Sequence, residues 1–86
     1  MTRRGLVTVT HTGVAYRFTG EATGKTLVTG FLYEWANDWK LIVNWTDGKG
    51  DTFSEHTVLD CALAPVAPQL AKAGEVVARK LEELTH

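Results

Sequence analysis

The spacing of apolar residues changes once along the chain, and this change limits what the chain can fold into. Over residues 5–61 apolar and polar positions alternate with a period of two, and Thr, Val, Trp, Tyr and Phe are frequent, which is typical of β-strands. Over residues 66–84 apolar residues recur at steps of three and four, which is the spacing of one face of an α-helix. The sequence therefore predicts a β-rich region followed by one amphipathic C-terminal helix.

Turn residues divide the β-rich region into five short strands. The third strand is predicted over residues 25–35, and Gly30 at its centre predicts a bulge or a sharp bend. The fourth strand follows a turn at residues 36–38, and the Asp-Gly pair after it is a strong hairpin signal. The fifth strand, near residues 51–58, is less regular, so we expect it to be an edge strand or to end early.

Five antiparallel strands and a terminal helix make an α+β domain. The 86 residues are enough for one domain, 1–86, whose folding buries about 63% of the surface of the unfolded chain. Because apolar residues occupy both faces of the third strand, we expect a strongly curved, SH3-like five-stranded antiparallel sheet or a small barrel. The order of elements resembles that of small archaeal chromatin proteins with SH3-like barrels, and this resemblance of layout implies a fold and no site.

Charge and cysteine usage exclude several classes of function. Nine Lys and Arg against ten Asp and Glu give a net charge of −1, and the longest basic run is Arg3-Arg4, so nucleic-acid binding is disfavoured. Cys61 is the only cysteine, which excludes an internal disulfide and a Cys-rich zinc site. No apolar stretch has the length of a signal peptide or a membrane span, so we expect a cytoplasmic protein without membrane contact.

No group of residues has the spacing that an enzyme or a metal site needs. His56 and Cys61 are candidates for a nucleophilic pair, but they lie five positions apart where a strand ends, and nothing fixes their geometry. His11, Glu55 and Asp60 are candidates to join His56 around a metal ion, but no paired-ligand spacing is present. We therefore expect no catalytic residues, no metal and no cofactor, and an enzyme ranks third among the functions considered.

The third and fourth strands carry most of the aromatic residues. Five of the eight lie within fifteen positions on this predicted hairpin, and most are expected in the core, because each buried ring removes about 150–250 Å² of surface from water. Two tryptophans flank the turn, where a side chain has few neighbours, and Trp is enriched at binding hot spots. At least one is therefore expected to contact a partner, with acidic neighbours as a polar rim. The predicted partner-binding residues are Trp35, Trp39, Tyr33, Glu34 and Asp38.

The sequence thus predicts a small non-enzymatic binding module that recognises another protein through this hairpin, as an inhibitor or a regulatory adaptor would. A second copy of the chain is also a candidate partner, because Leu6, Ile42 and Val76 fall outside the main apolar stripes and would form a dimer surface if exposed. The alternative function is a small β-barrel that binds nucleic acid, which requires cations from distant strands to meet on one surface.

Overall fold

The computed structural model describes residues 6–85, which form one antiparallel sheet followed by one helix. This confirms the predicted α+β class and the predicted bounds of the helix. The strands lie across the sheet in the order β1-β2-β3-β4-β5, so each pairs with its neighbours in the sequence. The elements are β1 (Leu6–Thr12), β2 (Ala15–Ala22), β3 (Lys25–Trp35), β4 (Asp38–Thr46), β5 (Thr52–Cys61) and α1 (Val66–Leu84).

The sheet is open, and α1 covers only one side of it. Among the described residues β1 pairs only with β2 and β5 only with β4, so the sheet does not close into a barrel, which was one of the two expected arrangements. We call the side under α1 the helix face and the other side the open face. Apolar residues on both sides of β3 favoured burial on both sides, but Phe31, Tyr33 and Trp35 lie on the open face, where neighbouring strands shield Phe31 and Tyr33 in part. The expected edge position of the fifth strand is confirmed, and the strand does not end early.

One stripe of α1 packs on the helix face to form the core. Pro68 lies in the first turn of α1, where its missing N–H is not needed for helical hydrogen bonds. Val77 and Leu81 of this stripe are buried, whereas Leu70 is only half-buried at the margin of the core. The buried apolar residues are Phe18, Ala22, Val28, Leu32, Leu41, Val43, Ala73, Val77 and Leu81.

Gly30 lies at a point of close contact between α1 and the sheet. The strand pairing is regular at this residue, and the register shifts occur elsewhere in the β2–β3 and β4–β5 ladders, so the bulge predicted at Gly30 is wrong. A Cβ atom on Gly30 would lie 2.8 Å from Cγ2 of Val77, which is closer than two carbon atoms pack. The glycine therefore allows the helix to lie directly on the sheet.

Adding one methyl group at Gly30 is expected to destabilise the protein, and shortening Val77 is expected to compensate. Gly30→Ala should cost about 1–3 kcal/mol, because the new methyl overlaps the valine side chain. Val77→Ala alone should cost a similar amount by leaving a cavity of roughly two methyl groups. In the double variant the combined loss in urea unfolding should be smaller than the sum by about 0.5 kcal/mol or more. Strict additivity would contradict this contact.

Two side-chain hydrogen bonds fix the segment that leads from β5 into α1. The indole N–H of Trp39 donates to the carbonyl oxygen of Ala64 at 3.1 Å. Gln69, which is buried, donates through Nε2 to the carbonyl oxygen of Pro65 at 3.3 Å. Both bonds reach backbone carbonyls just before or at the start of the helix, so they set the position from which α1 crosses the sheet.

Asp60 at the end of β5 adds a charged contact to the helix. Its carboxylate accepts the backbone N–H of Cys61 at 2.8 Å and lies 3.7 Å from the ammonium group of Lys72. The N–H of Cys61, and after it the charge of Lys72, lowers the pKa of the Asp60 carboxyl below its ordinary value of 3.8. Because the pKa is lowered on folding, this contact stabilises the fold at neutral pH, and the contribution is lost as the pH falls through the lowered value.

Candidate protein-binding face

The open face consists of side chains that stand in rows across four strands. Neighbouring residues in each row are cross-strand partners, so their positions follow directly from the strand register. The first central row is Arg17, Phe31, Ile42 and His56. The second central row is Ala15, Tyr33, Lys40 and Val58. Both rows combine apolar or aromatic groups with basic ones, and among the described residues no second layer covers them.

A hollow of about 340 Å³ lies at one end of this face. Trp35 and Val58 border it and remain 66% and 59% exposed, which is unusual for large apolar side chains. Its walls therefore combine two accessible apolar groups with the basic side chains of Lys40 and His56. The residues that line it are Tyr33, Trp35, Lys40, Leu41, His56, Thr57 and Val58.

The turn between β3 and β4 determines where Trp35 points. Ala36 and Asn37 both have positive φ, at 52° and 66°, as a two-residue type I′ hairpin turn requires. This turn pairs Trp35 directly with Asp38 and leaves no further residues that could fold back over the indole. Asn is favoured in such a conformation but Ala is not, so the turn stores strain at Ala36.

Removing the Cβ atom of Ala36 is expected to stabilise the protein. Ala36→Gly should raise the free energy of unfolding by about 1 kcal/mol, because a left-handed conformation costs alanine about 1–2 kcal/mol and costs glycine nothing. The matched control is Ala78→Gly at an exposed position of α1, which should lower stability by about 0.5–1 kcal/mol. Chemical denaturation of the two variants measures their free energies of unfolding, which should change in opposite directions relative to the wild type. A loss of stability in Ala36→Gly would exclude strain at this turn.

The structure divides the predicted partner-binding residues between the two faces. Trp35, Tyr33 and Asp38 lie on the open face. Glu34 and Trp39 pair with each other across β3 and β4, and this position belongs to the helix face. Trp39 is half-buried, packs against the core and holds the hydrogen bond to the β5–α1 segment, whereas Glu34 is exposed. The two tryptophans beside the turn thus have different surroundings, and Trp35 is the more exposed of the two.

Several residues of the open face were not anticipated. Phe31 shares the alternation of Tyr33 and Trp35, so its position could have been found from the sequence. Val58 and His56 reach the hollow only because of the register between β4 and β5, which includes a shift at Trp39/Lys40. No pattern in the sequence predicts such a shift.

The open face carries equal numbers of positive and negative residues among those described. Arg17, whose guanidinium carbon lies 6.0 Å from the ring centre of Phe31, and Lys40 are its cations. Glu21 and Asp38 are its carboxylates, one towards each end of the strands. Arg3 and Arg4, the longest basic run of the sequence, lie outside the described residues. The described part of this face therefore has no basic stripe of the kind that follows a nucleic-acid backbone.

The candidates for catalysis and metal binding are not brought together. His56 pairs with Ile42 and Cys61 with Asp38, so four strand positions, roughly 13 Å, separate them, far beyond hydrogen-bond reach. His11 stacks on Tyr16 at the other edge of the sheet, with ring centres 4.2 Å apart. Within residues 6–85 no three His, Cys, Asp or Glu side chains are grouped as metal ligands.

The expected dimer residues are also separated. Leu6 is exposed at the start of β1, Ile42 is half-buried on the open face, and Val76 packs against the core. They do not form one surface.

The single described helix lacks the apolar length that crossing a membrane requires. Comparison of the chain with protein-family models, curated proteins and solved structures gives no match.

Proposed function

We propose that this protein is a small non-enzymatic binding module and that its open face binds another protein. The observation that carries the proposal is the exposure of Trp35 beside a hollow that Val58, Tyr33 and Leu41 also line. Exposed apolar groups grouped in this way are typical of protein interaction sites, and Trp is the residue most often found at the energetic centre of such sites.

The composition of the face favours a partner with an apolar anchor and few charges. A partner side chain that enters the hollow would contact Trp35, Tyr33 and Val58, while Lys40 and His56 offer hydrogen-bond donors and Asp38 an acceptor near the rim. Because the charges of the face balance, its selectivity would come from shape and hydrogen bonds. A protein that binds its partner without catalysing a reaction could act as an inhibitor or a regulatory adaptor.

Truncation of Trp35 tests this proposal. Peptides selected against the wild-type protein from a random displayed library are expected to bind Trp35→Ala at least about 30-fold more weakly, which corresponds to about 2 kcal/mol. Leu63→Ala is the control, because Leu63 is 96% exposed and does not line the hollow. Both variants should melt like the wild type. In NMR spectra the selected peptides should shift the amides of β3, β4 and β5 around the hollow.

Peptides that bind Trp35→Ala and the wild type equally well, or that shift amides of α1 and β1 instead, would refute the proposal. Nucleic acid is the alternative ligand, since aromatic rings beside Arg17 and Lys40 offer stacking and phosphate contacts. We expect no binding of single-stranded or duplex DNA at ~50 mM salt. Binding that falls steeply with added salt and is lost in Arg17→Ala/Lys40→Ala would replace the protein partner with nucleic acid.

A further inference from the structure

The two edges of the sheet differ in the features that prevent pairing with another strand. The outer edge of β5 carries Glu55 and Asp60, and its pairing with β4 shifts register near Leu59. Charges and bulges on an edge strand discourage strand addition. The outer edge of β1 has neither. Its seven residues, LVTVTHT, include no Asp, Glu, Lys, Arg or Pro, six of them are exposed, and within residues 6–85 no strand pairs with this edge.

We propose that β1 pairs antiparallel with β1 of a second copy around a two-fold axis, so that two five-stranded sheets become one of ten strands. The exposed polar groups of the β1 backbone supply the hydrogen bonds. Val9 is 53% exposed although it lies on the helix face, and the side chains of β1 from the other copy would cover it. This inference concerns the edge of the sheet and does not rest on the proposed function of the open face.

The residues of β1 favour a second copy as the occupant. A two-fold contact pairs the strand with an identical strand, residue i with residue j and j with i, so a strand that carries charges of one sign would lie beside the same charges in the other copy. On β5 the same arrangement would place the carboxylates of Glu55 and Asp60 along a contact with a strand that carries the same two carboxylates, whereas β1 carries no formal charge at neutral pH with His11 neutral. On β1, alternate Val and Thr would form Val–Val and Thr–Thr cross-strand pairs, which stabilise antiparallel sheets.

The two helices leave room for this pairing. When the two-fold axis passes through Thr8, Val9 or Thr10, even-numbered residues of one β1 pair with even-numbered residues of the other. Cross-strand partners point to the same side of a sheet, so both helices then lie on one side of the joined sheet. Because α1 packs chiefly on β2 and β3, the two helix axes would lie about four strand spacings, roughly 19 Å, apart. A helix with its side chains is about 10–12 Å wide, so the helices do not collide. The open faces of the two copies would then lie side by side.

The size of the contact predicts a reversible dimer. Seven residues form an edge of roughly 24 Å, and interfaces built on so short a strand fall in the class below about 1,200 Å² that associates weakly. Sedimentation equilibrium of the wild-type chain over a concentration series should therefore show a shift from the 9.5 kDa monomer to twice that mass.

Lysine substitutions on the two edges test which edge carries the contact. Thr8→Lys/Thr10→Lys puts like charges opposite or next to one another in all three registers, so this variant should stay monomeric at concentrations where the wild type is a dimer. Thr52→Lys/Thr57→Lys on β5 adds the same charge to the other edge and should dimerise like the wild type. A wild type that is monomeric throughout, or a dimer that the β1 variant retains, would overturn the proposal. Loss of the dimer only in Trp35→Ala would assign it to the open face instead and would equally overturn it.

Single cysteines give a second measurement that does not depend on a loss of association. In a Cys61→Ser background, Thr8→Cys, Val9→Cys and Thr10→Cys each place one thiol at a candidate axis position. The residue on the axis faces its own equivalent at about 4.5–5.5 Å between Cα atoms, a distance that a disulfide can span. One of the three variants should form a disulfide-linked dimer under mild oxidation much faster than the other two, and Ser54→Cys on β5 should not. Equal or absent cross-linking in all three β1 variants would contradict antiparallel pairing.

Discussion

Replacing Leu81 with alanine is expected to cost about 2–5 kcal/mol, a large part of the stability of a domain of this size. Leu81 is only 3% exposed, in the C-terminal half of α1, and a Cβ atom on Gly20 would lie 3.5 Å from its Cδ2 atom. The sheet backbone below cannot move up to fill the space, so the substitution leaves a cavity. A domain of this size has a total stability of roughly 4–13 kcal/mol. Urea unfolding followed by circular dichroism measures the loss.

Two leucines with less burial provide the comparison for Leu81→Ala. Leu70→Ala should cost less than Leu81→Ala, because Leu70 is half-buried at the margin of the core. Leu63→Ala should change the stability by less than about 0.5 kcal/mol, because Leu63 contacts almost nothing. A Leu81→Ala variant that melts like the wild type would show that α1 does not pack on the sheet in this way.

Replacing Trp39 with alanine is expected to destabilise the protein by about 3 kcal/mol, while Trp35→Ala leaves the stability nearly unchanged. Trp39 packs against the core and donates its indole N–H to the segment before α1, so its loss removes apolar contact and leaves the carbonyl of Ala64 without this partner. Trp35 is mostly exposed on the other face. The two variants thus separate stability from binding, because only Trp35→Ala is expected to weaken the binding of a partner.

Trp39→Phe distinguishes the two contributions of the indole. Phenylalanine keeps most of the packing and lacks the N–H donor, so the variant should lose about 1–2 kcal/mol, between the alanine variant and the wild type. Thermal melts of Trp35→Ala, Trp39→Phe and Trp39→Ala are expected in that order of decreasing midpoint. If Trp39→Ala melts like the wild type, the indole does not hold the β5–α1 segment.

Local patterns predicted the elements with little error. The third strand has the bounds that its alternation indicated, and the helix begins and ends where its apolar stripe does. These predictions depend on neighbours in the sequence, through side-chain alternation, turn residues and helical spacing. The errors arose where distant residues decide. Gly30 considered alone indicated a bulge or a bend; the pairing shows no bulge there, and the residue instead lies under Val77, 47 positions further along the chain.

The candidate site illustrates the same division. The sequence identified the aromatic hairpin and the exposed tryptophan beside its turn, because a two-residue turn leaves few neighbours for a flanking side chain. It assigned Trp39 to the same surface as Trp35, although the register pairs Trp35 with Asp38 and Trp39 with Glu34 and so places the two indoles on opposite faces. It also omitted Val58 and His56, because the register shift between β4 and β5 depends on the pairing of two whole strands.

The sequence by itself determined five strands, one helix and the two sets of residues that alternate along each strand, since these follow from local spacing. Only the tertiary structure decided which set α1 covers, because apolar residues occur in both sets of β3 and either could have been buried. The helix packs on the set that contains Gly20 and Gly30, where the absence of side chains lets Val77 and Leu81 reach the sheet. The bulkier set, with Phe31, Tyr33 and Trp35, offers no such close approach, and no described element covers it.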